Sequence, residues 1–141
     1  MFMGQYSHSI DEKGRLIIPA KLREGLGMRF VVTKGFDRCL YAYPAAEWER
    51  IAEQFLHVPS KKEARQLERI FIGSAREMEV DKQGRVLVPQ DLREFAGIDK
   101  DVVLIGIMNK VEIWSADRLE ETGDGDMDAM AEDMADLGVT I

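Results

Sequence analysis

The chain has 141 residues, 45% of them hydrophobic, and a formal charge of −7 from 19 basic and 26 acidic side chains. That length suits one compact domain or two small units sharing a core. No apolar run approaches the ~20 residues of a membrane span, Met1 to Ser9 lacks the basic-then-apolar order of a signal peptide, and a lone Cys39 excludes an internal disulfide, so a soluble cytoplasmic protein is expected.

In chain order, Gln5 to Ile10 reads as a short strand and Asp11-Glu-Lys-Gly14 as a turn, in which Gly14 can take positive φ without steric cost. Leu16-Ile-Ile18 is a continuous aliphatic run and reads as a buried strand. Pro19 stops it and suits the start of a helix, which runs from Ala20 to Leu26 and closes at Gly27. Arg29 to Lys34 and Cys39 to Tyr43 form a hairpin around Gly35-Phe-Asp-Arg38. Trp48, Ile51, Ala52 and Phe55 then fall on one helix face, and Pro59 ends that helix. Ser60-Lys-Lys-Glu63 has the spacing of a capping box, opening a second helix with Leu67, Ile70 and Phe71 on its apolar face. The pair is a helical hairpin spanning residues 48–75.

The order of elements then repeats. Val80 to Glu94 matches Ile10 to Glu24 at an offset of 70 residues, with seven identities in fifteen: Asp11/Asp81, Gly14/Gly84, Arg15/Arg85, Pro19/Pro89, Leu22/Leu92, Arg23/Arg93 and Glu24/Glu94. Four further positions exchange one aliphatic residue for another. Val102 to Ile107 and Lys110 to Trp114 supply the second hairpin. The repeats occupy 5–47 and 76–119, each about 45 residues and too small to bury much surface alone. The copies therefore need each other. Residues 120–141 form an acidic tail: Thr122-Gly-Asp-Gly-Asp126 is a flexible break, and Met127, Met130, Met134 and Leu137 then recur at helical spacing.

The negative total hides a division. Asp117 to Ile141 holds nine acidic residues and one basic, a net of −8, so the rest of the chain is +1. The first forty residues are +3, whereas residues 71–116 are −2. The first copy is thus the better candidate for a local anion-binding face.

Each copy carries a turn with Asp, a lysine, Gly and Arg. Asp11 and Asp81 can accept backbone N–H bonds within the turn or pair with the arginine four residues on, and so stabilise it. Lys13 and Lys82 can project outward. Arg15 and Arg85 offer a fixed fork of donors suited to phosphate oxygens or to the O6/N7 edge of guanine. The same residues can also do no more than brace the turn through an Asp–Arg bridge. Arg23 and Arg93, on the short helices, are expected to bridge neighbouring glutamates or the other copy rather than touch a ligand. Trp48 and Trp114 read as core or interface aromatics. His8 and His57 stand alone, and no P-loop, dinucleotide fingerprint or catalytic carboxylate pair appears. No catalytic residue, metal, cofactor or small-molecule substrate is expected.

The string D-x-x-G-R-ϕ-ϕ-ϕ-P-x-x-L-R-E, with ϕ apolar, resembles the AbrB/SpoVT-type DNA-binding domain. Two tandem copies joined by a helical pair, opening with Met1-Phe-Met-Gly4, resemble the MraZ family over roughly residues 1 to 120. The resemblance implies an α+β, mainly β fold: a pseudo-symmetric swapped-hairpin barrel of the AbrB type. It implies a ring of several subunits and a transcriptional regulator, typically repressing the division and cell-wall gene cluster that includes its own gene, by binding short direct repeats in the promoter. Its DNA contacts would fall on Lys13, Gly14, Arg15, Lys82 and Arg85, and its location would be cytoplasmic and nucleoid-associated. The second copy departs from the first at Gln83, which stands where the first has Lys13. Two other readings compete. An antitoxin-like regulator would use the Met127 to Leu137 stripe to bind a protein partner, and a scaffold would use the repeats only to assemble a ring.

Overall fold

Strand β1 (Gln5–Ser9) opens a computed structural model that describes residues 1–141. It is followed by β2 (Arg15–Ile17), α1 (Ala20–Leu26), β3 (Arg29–Lys34) and β4 (Leu40–Pro44). The helical hairpin is α2 (Ala45–Gln54) and α3 (Lys62–Phe71). The order then recurs as β5 (Arg76–Glu79), β6 (Arg85–Leu87), α4 (Gln90–Ala96), β7 (Asp101–Ile107) and β8 (Lys110–Ser115). Helices α5 (Ala116–Thr122) and α6 (Met127–Asp136) complete the chain.

The strands make a mixed assembly with helices, mainly antiparallel sheet. Six of them lie in the order β1-β7-β8-β4-β3-β5, and β2 and β6 pair separately. Each copy lends its first strand to the other. β1 pairs with β7, placing Tyr6 opposite Leu104, and β5 pairs with β3, placing Met78 opposite Phe30. The six-stranded sheet is open, with β1 and β5 at its edges. The closed barrel expected from the resemblance is therefore not formed by the strand pairing. The three-residue strands β2 and β6 pair with each other, and beyond that pair β2 makes only a single bridge, Leu16 to Ile10 at the end of β1.

The two copies share one core. Leu16, Ile18 and Phe30 of the first copy pack in one cluster with Val86, Val88 and Leu104 of the second. Burying each such side chain is worth about 1.5–3 kcal/mol, and splitting the copies would expose both sides at once. The aliphatic runs are not wholly core, however. Strand alternation sends Leu16, Ile18, Val86 and Val88 inward, and it turns Ile17 and Leu87 outward. The expectation of uniformly buried runs is corrected at these two positions.

The two short helices end as their glycines predict. Gly27 takes φ 82° and gives its N–H to Arg23 O, and Gly97 sits in the left-handed region at φ 65°. The helical hairpin docks on the opposite face of the sheet through aromatic rings. Trp48 and Phe71 lie 5.4 Å apart, Phe55 stacks on Phe71 at 6.0 Å, and Tyr43 approaches Trp48 at 5.9 Å. Buried Thr33 is satisfied by donating its hydroxyl to Phe71 O. The capping box at Ser60 does not form. Lys61 takes the position before α3 and supplies no side-chain cap, while Ser60 Oγ accepts from Arg65 Nη1 at 3.1 Å. The helix starts one residue later than the box requires, which leaves Ser60 outside the cap position.

The acidic tail adopts a helix. Asp126 caps α6 by accepting from the N–H groups of Asp128 and Ala129, and Met127, Met130, Met134 and Leu137 are all exposed. No helix is long and apolar enough to cross a membrane.

Candidate nucleic-acid interface

Each repeated turn is built around one carboxylate. Asp11 Oδ1 accepts the N–H groups of Lys13 at 3.0 Å and Arg15 at 2.8 Å, while Oδ2 accepts Arg15 Nε at 2.6 Å. Asp81 does the same with Gln83 N and Arg85 N, both at 2.9 Å, and with Arg85 Nε at 3.0 Å. Both alternatives open to the aspartates in the sequence, backbone acceptance and pairing with arginine, are therefore realised together. The chain reverses at Gly14 (φ 88°) and Gly84 (φ 78°), conformations that a Cβ would strain. The arginine N–H groups hold both aspartate carboxyls below their ordinary value of 3.8: first the backbone N–H of Arg15 or Arg85, with desolvation opposing and the guanidinium adding to it.

This arrangement aims the arginines. Aspartate takes only Nε, so the two terminal nitrogens of Arg15 point away without an intramolecular partner. In the second turn Arg85 Nη2 also donates to Gln83 Oε1, at 3.4 Å. Gln83 thus puts a neutral amide where the first turn has Lys13 and engages part of the neighbouring fork, while the second turn's lysine, Lys82, stands where the first has Glu12. Lys13 and Lys82 are exposed.

The β2–β6 pair brings the two turns onto one ribbon. Arg15 lies opposite Leu87, Leu16 opposite Val86, and Ile17 opposite Arg85. Ile18 N–H donates to Gly84 O at 2.9 Å, and Val88 N–H donates to Gly14 O at 2.8 Å. Each turn is thereby pinned to the end of the other copy's strand. Four residues of strand rise separate the turns, about 13 Å. Arg15, Ile17, Arg85 and Leu87 form the outward face between them. Lys13, Gly14, Arg15, Lys82, Arg85, Asp11 and Asp81 are therefore all gathered around one short ribbon. Ile17 and Leu87 join them, and the sequence did carry a signal for this: if Arg15 faces outward on a strand, so must the residue two further on.

Arg23 and Arg93 do not pair with Glu24 or Glu94. Each crosses to the other copy's turn glycine, Arg23 against Gly84 and Arg93 against Gly14, and Arg93 Nε donates to Val88 O at 3.0 Å. They brace the turns from behind.

A family model described as "MraZ protein, putative antitoxin-like" matches residues 1–70 and again 71–136. The chain belongs to the MraZ family. Three MraZ relatives illustrate the closeness. One from Lachnoclostridium phytofermentans is 51% identical over 140 residues, covering 99% of each chain. Another from Clostridium beijerinckii is 51% identical over 142 residues, covering 99% of this chain and all of the relative. A third, from Acetivibrio thermocellus, is 50% identical over 143 residues with the same coverage. Each of these relatives bears the name "Transcriptional regulator MraZ". The double match of the MraZ model agrees with the internal repetition read from Asp11–Glu24 and Asp81–Glu94.

Proposed function

We propose that this chain is a sequence-specific DNA-binding transcriptional regulator that presents the β2–β6 ribbon to promoter DNA. The observation that carries this reading is the pair of Asp–Arg turns at the two ends of one exposed ribbon, each releasing arginine donors outward. A two-stranded ribbon fits the ~12 Å major groove, and arginine donors fit guanine edges and phosphates. Lys13, Gly14, Arg15, Lys82 and Arg85 are the proposed contacts, with Asp11 and Asp81 holding the turns. Arg15 is the principal contact, because its fork is free where Arg85 is partly engaged.

The finer reading follows the family. The regulator represses the division and cell-wall gene cluster that includes its own gene, binds short direct repeats, and acts in the cytoplasm at the nucleoid. One subunit offers few cations, and each neutralised phosphate contributes a salt slope of roughly 0.9 on logarithmic axes. Single subunits should bind weakly at physiological salt, and a ring of subunits on spaced repeats gains effective concentration. The exchange of β1 and β5 between copies supports a swapped-hairpin relationship between the two DNA-binding repeats.

The test is a mobility-shift titration of the full chain on the DNA upstream of its own gene, across salt, with mass measured in solution. Arg15→Ala should abolish the shift and leave the particle mass unchanged. Undiminished binding by a properly assembled Arg15→Ala protein would remove the assignment. A second reading, an antitoxin-like regulator that grips a protein partner through α6, draws on the exposed Met127, Met130, Met134 and Leu137. Co-purification of a small partner, lost on deletion of α6, would favour it.

A further inference from the structure

The outward face of the β2–β6 ribbon breaks the usual rule for a half-exposed sheet. Strands with one face on the core carry polar residues on the other. Arg15 and Arg85 obey that pattern, but Ile17 is 44% exposed and Leu87 is 61% exposed. Neither fills the core, which Leu16, Ile18, Val86 and Val88 already fill from the same two strands. Single exposed aliphatics are ordinary. These two occupy equivalent positions in both copies, and each stands directly opposite an arginine: Ile17 against Arg85 and Leu87 against Arg15. The result is a chequer of two cations and two branched apolar side chains.

We propose that Ile17 and Leu87 contact the C5-methyl groups of thymines in the major groove and so help determine which sequence the ribbon accepts. This rests on the DNA-binding reading above. Charge complementarity names the occupant: an apolar surface set between outward arginine forks suits a partner that is anionic at its edges and offers methyl groups within. The major groove is such a surface, with phosphates along its rims and thymine methyls on its floor. Ile17 and Leu87 lie on the ribbon's diagonal, about 7–8 Å apart. With 3.4 Å between bases along a strand, that is about two base-pair steps. The arginines, on the other diagonal, then meet guanine edges or phosphates between and beside the methyl contacts.

The experiment compares two duplexes of the DNA upstream of the gene, one with thymine and one with deoxyuridine in its place, titrated with the full chain at one salt concentration. Uracil pairs as thymine does and lacks only the methyl. The wild-type chain should prefer the thymine duplex by about fourfold for each methyl contacted. Ile17→Ser and Leu87→Ser should each reduce that ratio, and the double variant should bring it to about one while still shifting DNA. Equal wild-type affinity for both duplexes overturns the inference, as does an unchanged ratio in the double variant. A change in particle mass on either serine substitution would make the pair a contact between chains and also overturns it. Absence of any shift on either duplex at low salt is a different failure, because it removes the DNA-binding reading itself.

Discussion

Arg23 Nη1 occupies the space where a side chain on Gly84 would begin: a Cβ built there would lie 1.7 Å away. The reciprocal contact is looser, with Arg93 Cζ and Val88 O each 3.0 Å from a Cβ on Gly14. Each copy's helix thus holds the other copy's turn in shape. Gly84 meets two demands, a positive φ and room for an arginine from the other repeat. Gly84→Ala should destabilise the chain by roughly 1–3 kcal/mol through backbone strain alone, read as a fall in the urea midpoint with unchanged slope. Adding Arg23→Ala should recover only the contact share. A double variant as stable as Arg23→Ala alone would show that φ at Gly84 carries no strain.

The turns should survive acid better than an ordinary carboxylate would allow. Asp11 and Asp81 are held below 3.8 in the folded chain, first by arginine backbone N–H groups. A carboxyl with a depressed folded pKa contributes stability that is fully present above its unfolded value. That contribution is lost as pH falls through the lowered folded one. Titration of the side-chain carboxyls by NMR should place both aspartates below 3.8, the ordinary aspartate value. An Asp11 midpoint at or above its ordinary value would mean that the turn is not closed in solution. Asp11→Asn should keep part of the backbone bonding, lose the ion pair, and flatten the acid dependence.

Salt dependence should separate the two turns. Lys13 is a flexible point charge, so Lys13→Ala should lower the logarithmic salt slope by roughly 0.9 per engaged subunit on every sequence tested. Gln83→Lys should raise it by the same amount and also free Arg85 Nη2 from its 3.4 Å bond to Gln83 Oε1. A slope unmoved by either change would place both turn tips away from phosphate.

Cleaving the connection between copies should not part them. The exposed loop from Val58 to Lys61 carries no strand, whereas β1–β7, β3–β5 and β2–β6 all run between copies. A protease site placed between Pro59 and Ser60, once cut, should leave two fragments that co-migrate at micromolar concentration and separate only in denaturant. Fragments that part in native buffer would contradict the shared core.

Much of this was legible in the sequence, for reasons that also mark where legibility stops. The turns could be read because aspartate, glycine and arginine each have a local role fixed by their neighbours. The helix ends could be read because Gly27 and Gly97 stop helices through their own backbone. The partner of β1 could not be read from local pattern, because the third strands of two similar copies offer it nearly the same edge. Ile17 and Leu87 were legible only through Arg15 and Arg85 two residues before each, because three aliphatics in a row mask a period of two. The cap at Ser60 failed because the helix begins one residue later than the box spacing places it, an offset that spacing alone does not fix.

Carrying both repeats on one chain also changes what symmetry permits. Two identical chains meeting on a twofold axis offer the same chemistry to each half of a site, and so favour palindromes. Here Lys13 answers to Gln83 across the ribbon, and a free arginine fork answers to a partly engaged one. The ribbon therefore has a head and a tail. On the proposal that this ribbon meets DNA, such a direction would suit sites written one way round, with copies of the chain following one another without turning about.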